Sequence, residues 1–292
     1  MTPPPPVGRD EQIAVVIVNY GTADLAIAAV QSVLAQPQGR AAVEVHLVDN
    51  DSPGEDAADL SRAHAARGWG ARVTLWPEPE NHGFGRGNNR VLRALAERDV
   101  PPDKVLLLNP DARLENDAVE ILAGALDAAP QAGAAGAAVL RPDLSPATAA
   151  FRFPGPASEI ARTVNLTALN RLLRHRLVPL PPEHPAGPVD WVSGASVMFR
   201  FAALEQAGFF DPAYFLYFEE VDLMRRLQAQ GWQVLFVPAA RVIHEEGAAT
   251  GQFAARAARQ RDPAYLYQSW AHYFHKAYGR AGAVLIALAM LP

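Results

Sequence analysis

The sequence predicts an α/β fold with a mostly parallel central sheet flanked by helices, and three observations carry the prediction. Short β-branched or leucine-rich runs alternate with helix-compatible segments through the first half of the chain. Such alternation lays strands in parallel with helices on both faces. The runs are apolar without a period of two, which marks strands buried on both sides. Polar residues stand directly after three of them, at the carboxyl edge where open α/β sheets bind ligands.

Ile13 to Val18 is the first run, and Thr22 can cap a helix reaching Leu34. Val43 to Val48 is a second strand, broken by Asp49-Asn50-Asp51-Ser52, with a helix near Glu55 to Ala66. Val73 to Trp76 is a third, followed by a glycine-rich turn and a helix from Asn88 to Arg98. Val105 to Leu108 is a fourth, stopped by Asn109-Pro110-Asp111, with a helix from Asn116 to Ala128. Between Pro142 and Pro188 prolines are dense, periodicity is poor and Arg171, Arg174 and Arg176 cluster. That stretch reads as a long loop insertion with some helix, a lid or an acceptor-facing element. Order returns from Val189 to Arg200, with a short helix to Gly208. A helix from Glu219 to Gln230 closes near Gly231, and Val234 to Val237 is a short strand.

With 292 residues, half of them hydrophobic, the chain can fill a large α/β core. Its net charge of -5 and lack of a basic run point away from nucleic acid as a partner. It has no cysteine, which excludes disulfides, cysteine-ligated zinc and thiol nucleophiles. The expected location is cytoplasmic. Residues 1–11 read as a flexible proline-rich arm without the features of a signal peptide. Residues 251–292 read as a helical tail in which Ala281 to Leu291 is apolar yet too short to span a bilayer. Tyr265, Tyr267, Trp270, Tyr273, Phe274 and Tyr278 stand there among Lys276 and Arg280. Two readings stay open for this tail: a helix packed on the core, or a contact with the inner face of the cell membrane.

Several clusters could carry chemistry, and each has a plainer structural use. Asp111 follows a buried strand, where a carboxylate suits a hard divalent cation; it could equally be a turn residue. Asp49 and Asn50 could hydrogen-bond a base or ribose, or form an Asx turn. Asn81 to Asn89 holds glycines at alternate positions before a helix, which would let the backbone approach an anionic ligand. Glu219, Glu220 and Asp222 open a helix, where acids are favoured in any case. Phe209, Phe210, Tyr214, Phe215, Tyr217 and Phe218 lie beside them and could form a sugar platform with a general base. Asp222 and Arg226 are spaced to pair structurally. His244, at a strand end, becomes a credible ligand if a metal lies near.

The order of these segments is more specific than any one of them. VVIVNYG, LVDNDS, ENHGFGRGNN, LLLNPDA, WVSGASVMFR, GFFDPAYFLYFEEVDLMRRLQAQGW and VIHEEG succeed one another over about residues 12 to 250. This series resembles the inverting family-2 glycosyltransferases of GT-A fold, in the branch of bacterial rhamnosyltransferases and galactofuranosyltransferases. The resemblance implies a nucleotide-binding half over 12–112 and a metal and acceptor half over 113–250. It implies that Tyr20, Asp49, Asn50, Asn81, Gly83 and Asn109 line the donor nucleotide. Asp111 matches the last acid of a metal-binding Asp-x-Asp motif whose first acid is here Asn109, with His244 as a further ligand to Mg2+ or Mn2+. Trp191, Gly194 and Asp222 would face sugar or acceptor, and Glu220, or its neighbour Glu219, would be the catalytic base. The donor would be a nucleotide-diphospho-sugar, dTDP-rhamnose first and UDP-sugars next. The acceptor would be a glycan or lipid-linked saccharide.

Two rival functions fit parts of this pattern less well. A nicotinamide-dependent oxidoreductase would need its glycine fingerprint after the first strand, where Asn19-Tyr20-Gly21-Thr22 stands instead. A non-catalytic sugar-binding protein would have no need of both the metal acid and the paired acids.

Overall fold

The computed structural model describes residues 11–37, 39, 41–164, 166–245 and 263–290. The amino-terminal arm and the start of the tail, up to 262, lie outside them, apart from residue 11. The strands are β1 (Glu11–Asn19), β2 (Ala41–Asn50), β3 (Val73–Glu78), β4 (Lys104–Leu108), β5 (Ala112–Leu114) and β6 (Ala132–Leu140). They continue with β7 (Pro146–Ala147), β8 (Ala150–Phe151), β9 (Gly187–Val189), β10 (Trp191–Val192), β11 (Ser196–Arg200) and β12 (Gln233–His244). The helices are α1 (Ala23–Leu34), α2 (Asp56–Ala66), α3 (Phe84–Ala96), α4 (Ala118–Ala128), α5 (Pro156–Val164) and α6 (Thr167–Leu172). After them come α7 (Phe201–Ala207), α8 (Glu219–Ala229) and α9 (Ala264–Ala289), which Gly279 kinks with φ 73° and ψ 170°.

The main sheet runs β3-β2-β1-β4-β11-β6-β12-β5, with β7 and β9 paired at its side. β3, β2, β1 and β4 are parallel, as the apolar runs predict. The antiparallel β11 then enters between β4 and β6. This insertion brings the polypeptide just before Ser196 beside the carboxyl end of β4, since Ser196 pairs with Leu108. The core fills both faces of β1 and β4, every residue from Ile13 to Val18 and from Val105 to Leu108 being buried.

Four differences from the expected elements have physical causes. Helix α3 begins at Phe84, not Asn88, because the glycine segment itself forms its first turn. Strand β6 was not expected at all: AGAAGAAVL has poor strand propensity, and neighbours decide it. A Cβ on Gly136 would stand 2.4 Å from Val192, so the thin strand is what lets β10 close over it. β12 extends from Gln233 through a bulge after Val237 to His244, far beyond the expected Val237. The 142–188 insertion holds β7, β8, α5 and α6 and is more ordered than a loop.

Candidate active site

At the β1 and β2 ends, the buried Asn19 is the hub. Its amide donates to Asp49 Oδ1 at 3.2 Å, Ser52 Oγ at 3.1 Å and Asp56 Oδ2 at 3.1 Å. Its carbonyl accepts from the Thr22 amide and hydroxyl. Thr22 therefore does not cap α1 with its side chain; Asp56 Oδ2, reaching across from α2, accepts from Ala23 N at 2.9 Å. Tyr20, next in the chain to Asn19, is 39% exposed, while Asp49 is buried.

Asn50 has a different use from the one expected. Its amide donates to Asn81 Oδ1 at 3.0 Å and Gly83 O at 3.3 Å, and its oxygen accepts from His82 N at 3.1 Å. With the residue 2% exposed, its polar atoms are spent holding the 81–83 loop, so it shapes the pocket and does not read a ligand. The glycines are likewise reassigned. A Cβ on Gly83 would sit 2.0 Å from Phe215 O, one on Gly85 3.1 Å from Phe210 Cβ, and one on Gly87 2.9 Å from Val18 Cγ1. They admit protein neighbours, not a phosphate, and the Phe84 N–H at the helix start is already bonded to Phe215 O. Gly83 also has φ 74°, a conformation costly for any other residue. Gly83→Ala is expected to destabilise the fold by about 3 kcal/mol or more, read as a lower urea midpoint at an unchanged slope.

At the β4 end, one nitrogen of His244, Nε2, lies 3.0 Å from Asp111 Oδ1 and 3.4 Å from Asn109 Nδ2. The turn is fixed by Ala112 N to Asn109 O, and Glu245 N donates to Asp111 O. Among the described residues no group of three or more acids, histidines or cysteines could hold a metal by itself. The pair nonetheless fits a hard cation shared with a ligand: neighbouring ligands on an octahedral ion with ~2.1 Å bonds stand about 3 Å apart. A carboxylate and an imidazole supply two donors, and phosphate oxygens would complete the shell.

The acid pair opens α8 directly after Tyr217 and Phe218, both in the left-handed region with φ 69° and 68°. Consecutive bulky residues there hold strain of about 1–3 kcal/mol each, and such strain gathers at functional sites. Glu219 is 3% exposed and Glu220 half-buried, and Oε2 of each has no hydrogen-bond partner. Burial, and then the charge of Glu220, push the Glu219 carboxyl well above the usual range; burial also raises Glu220. Burial therefore raises both carboxyls, which titrate as a pair, and Glu220 is the less buried and more accessible of the two. A Cβ on Gly194 would stand 3.5 Å from Glu220 Oε1, so the absence of a side chain there leaves Glu220 open.

Asp222 is a correction. Both its oxygens are held, Oδ2 by Arg226 Nε at 2.8 Å and Oδ1 by Lys276 Nζ at 2.6 Å, and it is 3% exposed. It anchors α8 and has no oxygen left for a sugar. The aromatic wall is corrected in part too. Phe210 and Tyr214 are core residues, while Phe218 lies against Tyr273 and Phe215 and Tyr217 lie against Tyr265. Much of that wall docks α9. Trp191 is stacked on Phe151 at 4.1 Å and held by Nε1 to Arg152 O, which fixes its ring.

A short run of residues lies between the two acidic centres. Glu220 faces Gly194, where an added Cβ would stand 3.5 Å from its Oε1; the next residue, Ala195, accepts through its carbonyl from Asn109 N at 3.0 Å; and Asn109 lies against His244, which bonds Asp111. Sequence reasoning missed Ser52 and Asp56 in the Asn19 network, and Asn89, whose amide makes paired bonds with the Phe210 backbone. Asn19 was visible as a polar residue after a strand; Asp56 and Asn89 carried no signal apart from ordinary helix residues.

Comparison with known proteins decides the family. A model described as "Glycosyltransferase like family 2" matches residues 10–262. The chain belongs to that family. It is a glycosyltransferase. The N-acetylglucosaminyl-diphospho-decaprenol L-rhamnosyltransferase of Mycobacterium tuberculosis is 32% identical over 72% of this chain and 69% of its own. Rhamnosyltransferase WbbL of Escherichia coli is 39% identical over 19% of this chain and 21% of its own. The fold of this glycosyltransferase is shared by GalNAc-T7, solved with UDP, GalNAc and Mn2+, at TM-score 0.58 and 15% identity, covering 93% of this chain and 51% of that one. It is shared also by the mannosyltransferase PcManGT of Pyrobaculum calidifontis, solved with GDP-Man and Mn2+, at TM-score 0.53 and 17% identity, covering 95% and 73%. The fold is thus GT-A.

Proposed function

We propose that this glycosyltransferase moves L-rhamnose from dTDP-rhamnose, or failing that a sugar from a UDP donor, to a hydroxyl of a lipid-linked saccharide, with inversion. The observation that carries the reading is the short run of neighbours, Gly194, Ala195 and Asn109, that lies between Glu220 and the Asp111–His244 pair. It supports one cleft in which a base and a diphosphate site face the same anomeric carbon. Glu220 takes the acceptor O–H proton as that oxygen forms its bond to the anomeric carbon. The bond from that carbon to the diphosphate breaks, and the electron pair leaves with the nucleotide. Asp111 and His244 would hold Mg2+ or Mn2+, which offsets the charge growing on the diphosphate. Tyr20 and Asp49 would hold the base and ribose, with Asn81 and Gly83 in the loop that lines the nucleotide. Trp191 and Gly194 border the acceptor. The rhamnosyl choice rests on the relatives' names, and a lipid-linked acceptor accords with contact of the carboxy-terminal tail with the inner membrane face.

The test is a transfer assay over dTDP- and UDP-sugars with a polyprenyl-diphospho-saccharide acceptor, with Mg2+, Mn2+ or a chelator, and with NMR of the product anomer. Turnover with dTDP-rhamnose, loss in chelator and an inverted linkage are expected. A retained configuration rejects the single displacement, and full turnover in chelator rejects the metal.

A further inference from the structure

Beyond Gly279 the tail helix has apolar residues on every side. Ile286 is 5% exposed and packs with Tyr273 and Phe274 in a cluster that Trp191 and Phe218 border. On the outer side Val284, Leu285 and Leu288 are 58%, 67% and 57% exposed. From Ala281 to Met290 there is no polar side chain. A water-facing helix normally carries polar residues on its outer face, so this one is built to be covered on both sides. No described helix is long and apolar enough to cross a membrane.

A second element shares the pattern. Helix α5 packs on α9 through Trp270 Nε1 to Glu159 Oε2 at 2.9 Å, and leads within three residues into α6. There Val164, Leu166 and Leu172 are 43%, 61% and 77% exposed, next to the exposed Arg171, Arg174 and Arg176. Six of the eleven exposed large hydrophobics of the described residues fall in these two segments, so the exposure is concentrated and not scattered. Charge settles the occupant. Residues 163–182 and 263–292 contain no Asp or Glu, in a chain that carries 31 of them and a net charge of -5. Apolar side chains ringed by arginine and free of acids match an anionic bilayer surface.

We infer that α6 and the end of α9 form one membrane-docking face that takes anionic phospholipid headgroups, with its leucines in the acyl boundary. The face is bolted to the catalytic helix, because Lys276 bonds Asp222 of α8 and also Asp211 at 2.7 Å. Docking would therefore present the Trp191 side of the cleft toward the bilayer. This extends the tail contact proposed above to a second element and to a lipid charge, and it is tested without turnover.

The full chain is sedimented with vesicles of phosphatidylglycerol and phosphatidylcholine, or of phosphatidylcholine alone, at low and high salt. Binding to the mixed vesicles, weakened by salt, is expected. Arg171→Gln, Arg174→Gln and Arg176→Gln together should lower it about tenfold or more, and Leu285→Glu with Leu288→Glu should abolish it, with nucleotide binding and Tm unchanged. Failure of the unaltered chain to bind mixed vesicles overturns the inference. So does undiminished binding by the arginine variant, whose changes are confined to exposed positions. Light scattering that shows a dimer dissolved by the leucine changes, without vesicle binding, assigns the face to a second copy instead. Vesicle binding without any transfer would leave the docking face standing and count only against the proposed reaction.

Discussion

Glu220→Gln is expected to lower kcat by about 10²–10⁴ while leaving donor binding and Tm near those of the unaltered chain. An acceptor hydroxyl is far too weak an acid to attack unaided at neutral pH, so loss of its proton acceptor is felt in the transition state and not in the ground state. Gln keeps the shape beside Gly194 and removes only the basic oxygen. The paired experiment is Glu219→Gln. Glu219 is the more buried member, and burial and then the neighbouring charge raise its carboxyl, so it is the less suited to serve as the base. Its amide variant should retain most turnover. The sign of the pH dependence follows from the same burial. A base must be ionised, and Glu220 is raised above the ordinary 4.5, so the acid limb of kcat should lie above the usual carboxylate range. For stability, a raised acid binds its proton more tightly in the folded chain. Its contribution is fully present below about 4.5 and is lost as pH rises through the folded value. Glu219→Gln should therefore stabilise the protein near neutrality and give no gain in acid, as read from Tm across pH. Full activity in Glu220→Gln together with an inactive Glu219→Gln would exchange the roles.

The parts of this fold that were legible were those where local pattern and tertiary environment agree. Val15 and Leu106 sit in uninterrupted apolar runs, and both became buried parallel strands. Asp111 and His244 are 133 residues apart, and only the order of motifs linked them; the fold does so because β12 runs antiparallel to β5, pairing His244 with Ala112. What could not be read was decided by neighbours. Glycines look alike whether they admit a ligand or a side chain, and at Gly83, Gly85 and Gly87 the occupant is protein. Asn50 and Asp222 have the right chemistry for a ligand, yet their hydrogen-bonding capacity is consumed internally, by residues as distant as Lys276. The alanine-rich β6 has no propensity signal, because its thinness is a packing solution for Val192.

Asp111→Ala is expected to cost about 10²–10³ in kcat/KM with Mn2+, with little change in fold. The fold should survive because the backbone carbonyl of Asp111 still accepts from Glu245 N, and the side-chain bond that is lost is the one to His244. The loss should depend on the ligand's charge. Binding of a nucleoside diphosphate in Mn2+, measured by calorimetry, should weaken strongly, whereas a nucleoside without phosphates should bind as before. That contrast separates loss of a cation site from general damage to the pocket near Asp49. The reverse change sharpens the point. Asn109 lies 3.4 Å from His244 Nε2 and contributes an amide where a carboxylate would add charge. Asn109→Asp should tighten Mn2+ binding by about tenfold, since a second carboxylate raises affinity for a hard divalent ion. It should also lower the Mn2+ concentration needed for half-maximal turnover. If Asp111→Ala keeps full turnover and Asn109→Asp leaves the metal dependence unmoved, this edge of the sheet holds no cation, and the departing diphosphate must be neutralised by other groups.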